Sequence, residues 1–233
     1  MSDDEIQLQK DALDYVKKNK KQLFADLVGN RTFDDASQRV AIFMAGTPGA
    51  GKTEVAQSLE PLFSVPPLRI DADEFRSKIP GYNGANSHVI QSAASVAVDK
   101  ILDQVYEKRY PFILDGTFAV GKALVNLKRA IRKGYSTQIY FVYQDPLDAW
   151  EFTKIREKKE GRRVPKDAFI NAYFASRQNV KQVKEELGDS MLLTLIIKNY
   201  ATGERKILDN VDSIEKYIPK IYNKDELEGI IND

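Results

Sequence analysis

The sequence predicts an α/β domain built on a central, mainly parallel sheet flanked by helices. Three observations carry that prediction. Short apolar runs recur at "RVAIFMAG", "PLRIDAD", "PFILDGT", "TQIYFVYQD" and "SMLLTLIIKN", with helical stretches between them, the alternation that builds doubly wound sheets. The first run is continuously apolar, as in a strand covered on both faces. Three of the runs lead directly into polar residues, Gly46 to Thr53, Asp71 with Asp73, and Asp115 with Thr117. In such sheets that carboxyl edge is where ligands bind, so one shared crevice is expected.

At 233 residues the chain holds one sizeable domain with appendages. The expected division is a helical extension over 1–35 and the main domain over 36–233. Within the extension, residues 4–28 set Ile6, Leu13, Val16, Leu23, Phe24 and Leu27 at near-helical spacing among charges, an amphipathic helix ending near Gly29. Its apolar face either completes the core or covers the crevice and restrains the protein in cis. Lysine and arginine total 35 against 34 acidic residues, so no overall field draws the chain to nucleic acid or an anionic membrane. The absence of cysteine excludes disulfides, thiolate metal sites and a cysteine nucleophile. The start is acidic where a signal peptide would be basic and then apolar, and no apolar run reaches the roughly 20 residues of a membrane span. A cytoplasmic protein with no membrane partner is expected.

The first strand runs into Gly46-Thr47-Pro48-Gly49-Ala50-Gly51-Lys52-Thr53, which fits G-x-x-x-x-G-K-[ST] with a strand before and a helix, "TEVAQSLEPLF", after. Glycines let backbone N–H groups close around a phosphate, the helix start adds positive potential, and Lys52 reaches the terminal phosphates. Thr53 is positioned to give its hydroxyl to Mg²⁺. The fold expected is therefore that of P-loop NTPases and kinases, with ATP bound along residues 46–53.

A phosphate loop specifies a nucleotide and no reaction, so the other strand ends must discriminate. In "IDADEFR", Asp73 lies where a carboxylate can accept the proton of an attacking hydroxyl. Asp71, two residues earlier, either points to the same side and shares a Mg²⁺ shell or caps a short helix over "DEFRSKI". The apolar run ending in Asp115 has the form of a Walker B strand, giving Asp115 a metal-side role and Thr117 a hydrogen bond to substrate. Asp145 and Pro146 suit a helix start, and Gly161 with Pro165 its end. That defines a lid over about 146–165, from which Arg156, Arg162 and Arg163 can close on a transferring phosphoryl group. The alternation of Lys154, Lys158 and Lys159 with Glu157 and Glu160 equally describes a solvated helix face.

Elsewhere, residues 86–109 read as a largely buried helix, and the tail as an edge hairpin at "TGERKI" followed by helices over "SIEKYIPKIY". Arg76 holds either a substrate phosphate or an ion pair with Asp73 or Glu74. His88 reads as a helix-surface residue, and Trp150 and Phe152 as lid packing.

Taken together and in this order, "MAGTPGAGKTE", "IDADEFR", "ILDGTFA" and "REKKEGRRVP" resemble the zeta toxin family of P-loop kinases. The resemblance implies an ATP- and Mg²⁺-dependent kinase acting on a hydroxyl of a small molecule, as characterised zeta toxins act on UDP-N-acetylglucosamine, with an antitoxin protein as partner. It makes Lys52 the phosphate lysine, Thr53 the metal-side hydroxyl, Asp73 the general base and Thr117 a substrate contact. Arg156 and one of Arg162 or Arg163 become the transition-state arginines. The chain departs from the family pattern in having Asp115-Gly116-Thr117 for Glu-Gly-Thr and Phe118-Ala119 where an arginine follows. Two alternatives share these parts: a polynucleotide or nucleoside kinase, against which this chain's near-zero net charge and lack of a basic, aromatic-interleaved stripe weigh for a nucleic-acid substrate, and a nucleotide-dependent regulatory switch.

Overall fold

The computed structural model describes residues 1–33 and 39–232 of the chain. Strands β1 (Val40–Ala45), β2 (Leu68–Asp71), β3 (Phe112–Asp115), β4 (Ser136–Tyr143), β5 (Leu192–Lys198) and β6 (Arg205–Leu208) form one sheet in the order β2-β3-β1-β4-β5-β6. Every neighbouring pair is parallel except β5 and β6, the antiparallel edge pair expected from the tail. β1 lies between β3 and β4, with the chain winding away to either side, so its carboxyl end is the switch point where a crevice opens.

The two faces of β1 feed two cores. Ala41, Phe43 and Ala45 join the larger cluster, and Val40, Ile42 and Met44 the smaller one, as the two-residue period of a strand requires. The smaller core is closed by Val55 and Ala56 of α2 (Lys52–Leu59). The larger is closed by α1 (Asp3–Val28), α3 (Ala72–Lys78), α4 (Ser87–Lys108), α5 (Ala123–Arg132) and α7 (Lys166–Leu187).

α1 starts with a capping box between Ser2 and Glu5 and ends at Gly29. It lies along α4 and buries Ala12, Val16 and Leu23 in the larger core, so its apolar face completes that core. Ile6, expected on that face, is exposed, next to the surface pair of Glu5 with His88. The boundary at 35/36 lies outside the described residues. α2 stops at Leu59, and Pro61 falls in a 3₁₀ turn (Glu60–Leu62), where the sequence had predicted a longer helix. In the tail only a 3₁₀ turn (Ile214–Lys216) forms before α8 (Lys224–Ile230), since Pro219 interrupts the helical pattern.

A third cluster joins α6 (Pro146–Glu160), α7 and the chain's last segment through Trp150, Phe169, Tyr173, Tyr222, Leu227 and Ile231. Trp150 Nε1 donates to the Asn232 carbonyl at 2.8 Å, and Tyr222 donates to Asp145 at 3.1 Å. Both bonds tie the base of α6 to the tail. Among the described residues no helix is long and apolar enough to cross a membrane.

Candidate active site

The phosphate loop leaves β1 at Gly46, whose amide donates to the Thr117 carbonyl at 3.2 Å. Backbone close approach requires two glycines: a Cβ on Gly46 would overlap the Val142 carbonyl and one on Gly49 the Ala149 carbonyl of α6, whereas at Gly51 it would meet the movable Lys198 ammonium; all three residues have positive φ. Thr47 and Ala50 are buried and Pro48 half-buried, so the loop is held from behind. Gly51 caps α2 with no side-chain bond, leaving the first-turn amides free for an anion.

Lys52 is buried, and its Nζ donates to the Thr47 carbonyl at 2.6 Å. Burial lowers its pKa from 10.5 to about 8; Asp115 opposes the fall, and Arg162 and Arg156 add to it. An ammonium so placed gains from an incoming phosphate. Thr53 follows in the first turn, half-buried.

β2 and β3 end in register, Asp71 opposite Asp115. The expectation that Asp71 and Asp73 point to one side of an extended segment is corrected here, because the chain enters α3 at Ala72. Asp71 is the N-cap, accepting from the Asp73 amide at 2.8 Å through one carboxylate oxygen, the capping alternative of the sequence reading. Burial, then the neighbouring Asp73, pushes the Asp71 carboxyl up to about 6, against the cap bond and Arg69.

Asp73 projects from the first turn of α3 into a ring of arginines. One carboxylate oxygen pairs with Arg76; the other accepts from Arg162 and from Arg156 at 3.3 Å. Arg76 therefore forms the Asp73 ion pair, and its second nitrogen bonds Gln91 of α4. Its Nε is buried with no hydrogen-bond partner among the described residues, and burial lowers its pKa in spite of Asp73.

The arginines expected to form a lid belong to α6 and the segment after it. Asp145 caps α6 by accepting from the Leu147 amide at 2.9 Å, and Gly161 ends it in the left-handed conformation. Arg156 also pairs with Glu160 at 2.7 Å. Of the two arginines after Gly161, Arg162 reaches Asp73 and Arg163 is exposed. The lid end rests on the loop before α4, where a Cβ on Gly84 would press on the Glu160 carbonyl at 3.2 Å.

Asp115 is buried, 3.4 Å from Arg69 Nη1. The Thr117 hydroxyl accepts from the Ala119 amide at 3.3 Å, a local turn that retains its proton for another acceptor. Phe118 takes a positive φ and turns its ring into the larger core against Phe43. His88 is exposed on α4 and pairs with Glu5 at 3.2 Å. Phe152 meets Tyr200 edge to face.

Sequence reasoning overlooked Arg69, Gln91 and Lys198. The neighbourhood of Arg69 and Asp71 on one strand face was legible two residues apart, but the approach to Asp115 comes only from the pairing of β2 with β3. Lys198 comes close only through the β5 register, which the chain does not spell out. As for magnesium, no group of three or more His, Cys, Asp or Glu among the described residues could hold a metal. Thr53 with Asp115 fits an ion that takes one or two protein oxygens and completes its shell from phosphates and water.

Comparison with known proteins adds a decisive match: the Zeta toxin family model fits residues 25–215. The chain belongs to the Zeta toxin family. Among curated relatives, an adenylate kinase of Pseudothermotoga lettingae is 28% identical over 164 residues, covering 65% of this chain and 72% of that protein. The toxin PezT of Streptococcus pneumoniae is 27% identical over 149 residues, 57% of this chain and 58% of PezT. Among solved structures, one from the PezAT chromosomal toxin–antitoxin system of S. pneumoniae superposes with a TM-score of 0.66 at 20% identity, covering all of this chain and 88% of its own. A complex of AvrRxo1-ORF1 and AvrRxo1-ORF2 with ATP gives 0.61 at 16% identity, over 88% of this chain and 67% of its own. At these identities the structural likenesses speak for the fold. Family and curated relatives together support a P-loop, nucleotide-dependent, kinase-type phosphotransferase.

Proposed function

We propose that the chain is an ATP-dependent small-molecule kinase that transfers the γ-phosphoryl group to an alcohol, with UDP-N-acetylglucosamine or another nucleotide sugar as acceptor. The observation that carries this reading is Asp73, a carboxylate just past the end of β2, separated from β1 and its phosphate loop by β3, and gripped by Arg156 and Arg162. The same two arginines pair with Asp73 and act on the Lys52 charge, which supports a site shared by base, donor loop and lid.

In this reading the amides of residues 46–53 cradle the ATP phosphates, and the Lys52 ammonium moves from the Thr47 carbonyl to the terminal oxygens. Arg156 and Arg162 exchange Asp73 for the γ-phosphate and stabilise its charge in the transition state. The freed Asp73 accepts the acceptor's hydroxyl proton as that oxygen bonds the γ-phosphorus, while the bond to the β–γ bridging oxygen breaks and ADP leaves. Thr53 and Asp115 would hold magnesium, which when bound neutralises charge on the phosphate oxygens. Arg76, with its unpartnered Nε, and Gln91 border the acceptor side. That favours an acceptor carrying an anionic group, such as the diphosphate of a nucleotide sugar, with Thr117 donating to it.

The adenylate kinase relative suggests a second reading, with a nucleoside monophosphate as acceptor. Asp73 weighs against it. A phosphate acceptor is largely ionised at neutral pH and has no need of a carboxylate base. The toxin–antitoxin system among the solved relatives supports an antitoxin protein as partner.

The test is turnover against a panel of nucleotide sugars and AMP. Asp73→Asn is expected to bind ATP normally and to transfer no phosphate; turnover of that variant near the unsubstituted rate would reject the base. ATP consumption that ignores every acceptor would instead favour a regulatory switch.

A further inference from the structure

Strand β2 carries one basic side chain, Arg69, that touches neither the phosphate loop nor Asp73. Its guanidinium lies 3.2 Å from Asp71, 3.4 Å from Asp115 and 3.3 Å from Glu60, and pairs also with Glu74. Four carboxylates from four separate elements meet on one half-buried fork. Burial would lower its pKa, and the carboxylates reverse this and raise it.

Geometry explains the meeting. Arg69 and Asp71 share a face of β2 by the period of two, and Asp115 stands opposite Asp71 on β3, diagonal to Arg69. Two carboxylates directly opposite on adjacent strands repel each other. The same pair offers oxygens to a hard divalent cation, and here the guanidinium bonds both. Its partners matter to the site. Asp71 is the cap from which Asp73 projects, and the field of Asp115 acts on Lys52.

We propose that Arg69 is an internal counter-cation and positioning residue: it closes the Asp71–Asp115 pair to free divalent metal, so that metal enters only with the nucleotide, and it fixes the cap that aims Asp73. The positioning half rests on the kinase reading; the counter-cation half does not.

The experiment is a calorimetric Mn²⁺ titration of the full-length, nucleotide-free protein, paired with steady-state kinetics. Arg69→Met keeps the stem and removes the fork. It is expected to bind Mn²⁺ about tenfold or more tightly than the unsubstituted chain, and the gain should vanish in Arg69→Met combined with Asp115→Asn. Arg69→Lys, which keeps the charge, should stay weak for Mn²⁺. In turnover Arg69→Met should lose about tenfold or more in kcat while the KM for ATP moves by less than about threefold, and Arg69→Lys should recover part of the loss. Arg69→Gln gives the same readouts if Arg69→Met does not fold. An unchanged Mn²⁺ affinity in the folded variant overturns the counter-cation, and an unchanged kcat overturns the positioning role. A chain that turns over no acceptor fails the kinase reading and leaves the Mn²⁺ comparison decisive.

Discussion

Replacing Lys52 by methionine is expected to remove nucleotide binding while leaving the folded protein about as stable at pH 7. The side chain is only 8% exposed, and its pKa falls from 10.5 to about 8. At about 1.4 kcal/mol per pH unit, holding the charged form in the fold costs roughly 3 kcal/mol at neutral pH. Methionine, of similar length, removes that cost and also loses the bond to the Thr47 carbonyl, worth about 1.5–3 kcal/mol for a charged donor. The two nearly cancel. The pH dependence separates them. Between about 8 and 10.5 the unfolded chain keeps this proton and the folded chain has released it, so stability of the unsubstituted protein rises with pH through that window relative to Lys52→Met. Urea denaturation of both proteins without nucleotide, at pH 7.5 and 9.5, should show the difference growing by roughly 2 kcal/mol. A flat difference would refute the account of a buried, strained ammonium. The same proton is needed by the phosphates, so ATP affinity should fall as pH rises above about 8, by up to about tenfold per unit.

Two further outcomes follow from packing around the lid. Gly49→Ala puts a Cβ against the Ala149 carbonyl at a positive φ; it should weaken ATP binding about tenfold or more, measured by calorimetry, with α6 pushed off the loop. Trp150→Ala removes a nearly buried ring that packs on Phe169 at 5.2 Å and bonds the Asn232 carbonyl. Thermal unfolding should report a loss of about 3–5 kcal/mol.

The sheet was legible because its signals are local: apolar runs, a glycine pattern and strand ends in acid. So was α1, through its spacing, and Asp145 as a cap, through the proline after it. Asp71 was harder, since a strand-end aspartate before a helix reads both as a ligand and as a cap, and only where the helix starts, at Ala72, decides. Arg69 escaped because its meaning needs the strand order that sets Asp115 beside it. The choice between Arg162 and Arg163 escaped for a related reason, since it depends on the direction in which the chain leaves Gly161.

Under the proposed mechanism, the knot at Asp73 would make the resting molecule its own competitive inhibitor. A carboxylate of the protein sits where the lid arginines would otherwise hold phosphoryl oxygens, so an entering ligand must outbid an anion already tethered in place. Water cannot do so, and neither can a neutral sugar. Under the proposed mechanism only a ligand pair that brings more negative charge than Asp73 unlocks the base, and wasteful hydrolysis of ATP is suppressed by the same contacts that later stabilise transfer.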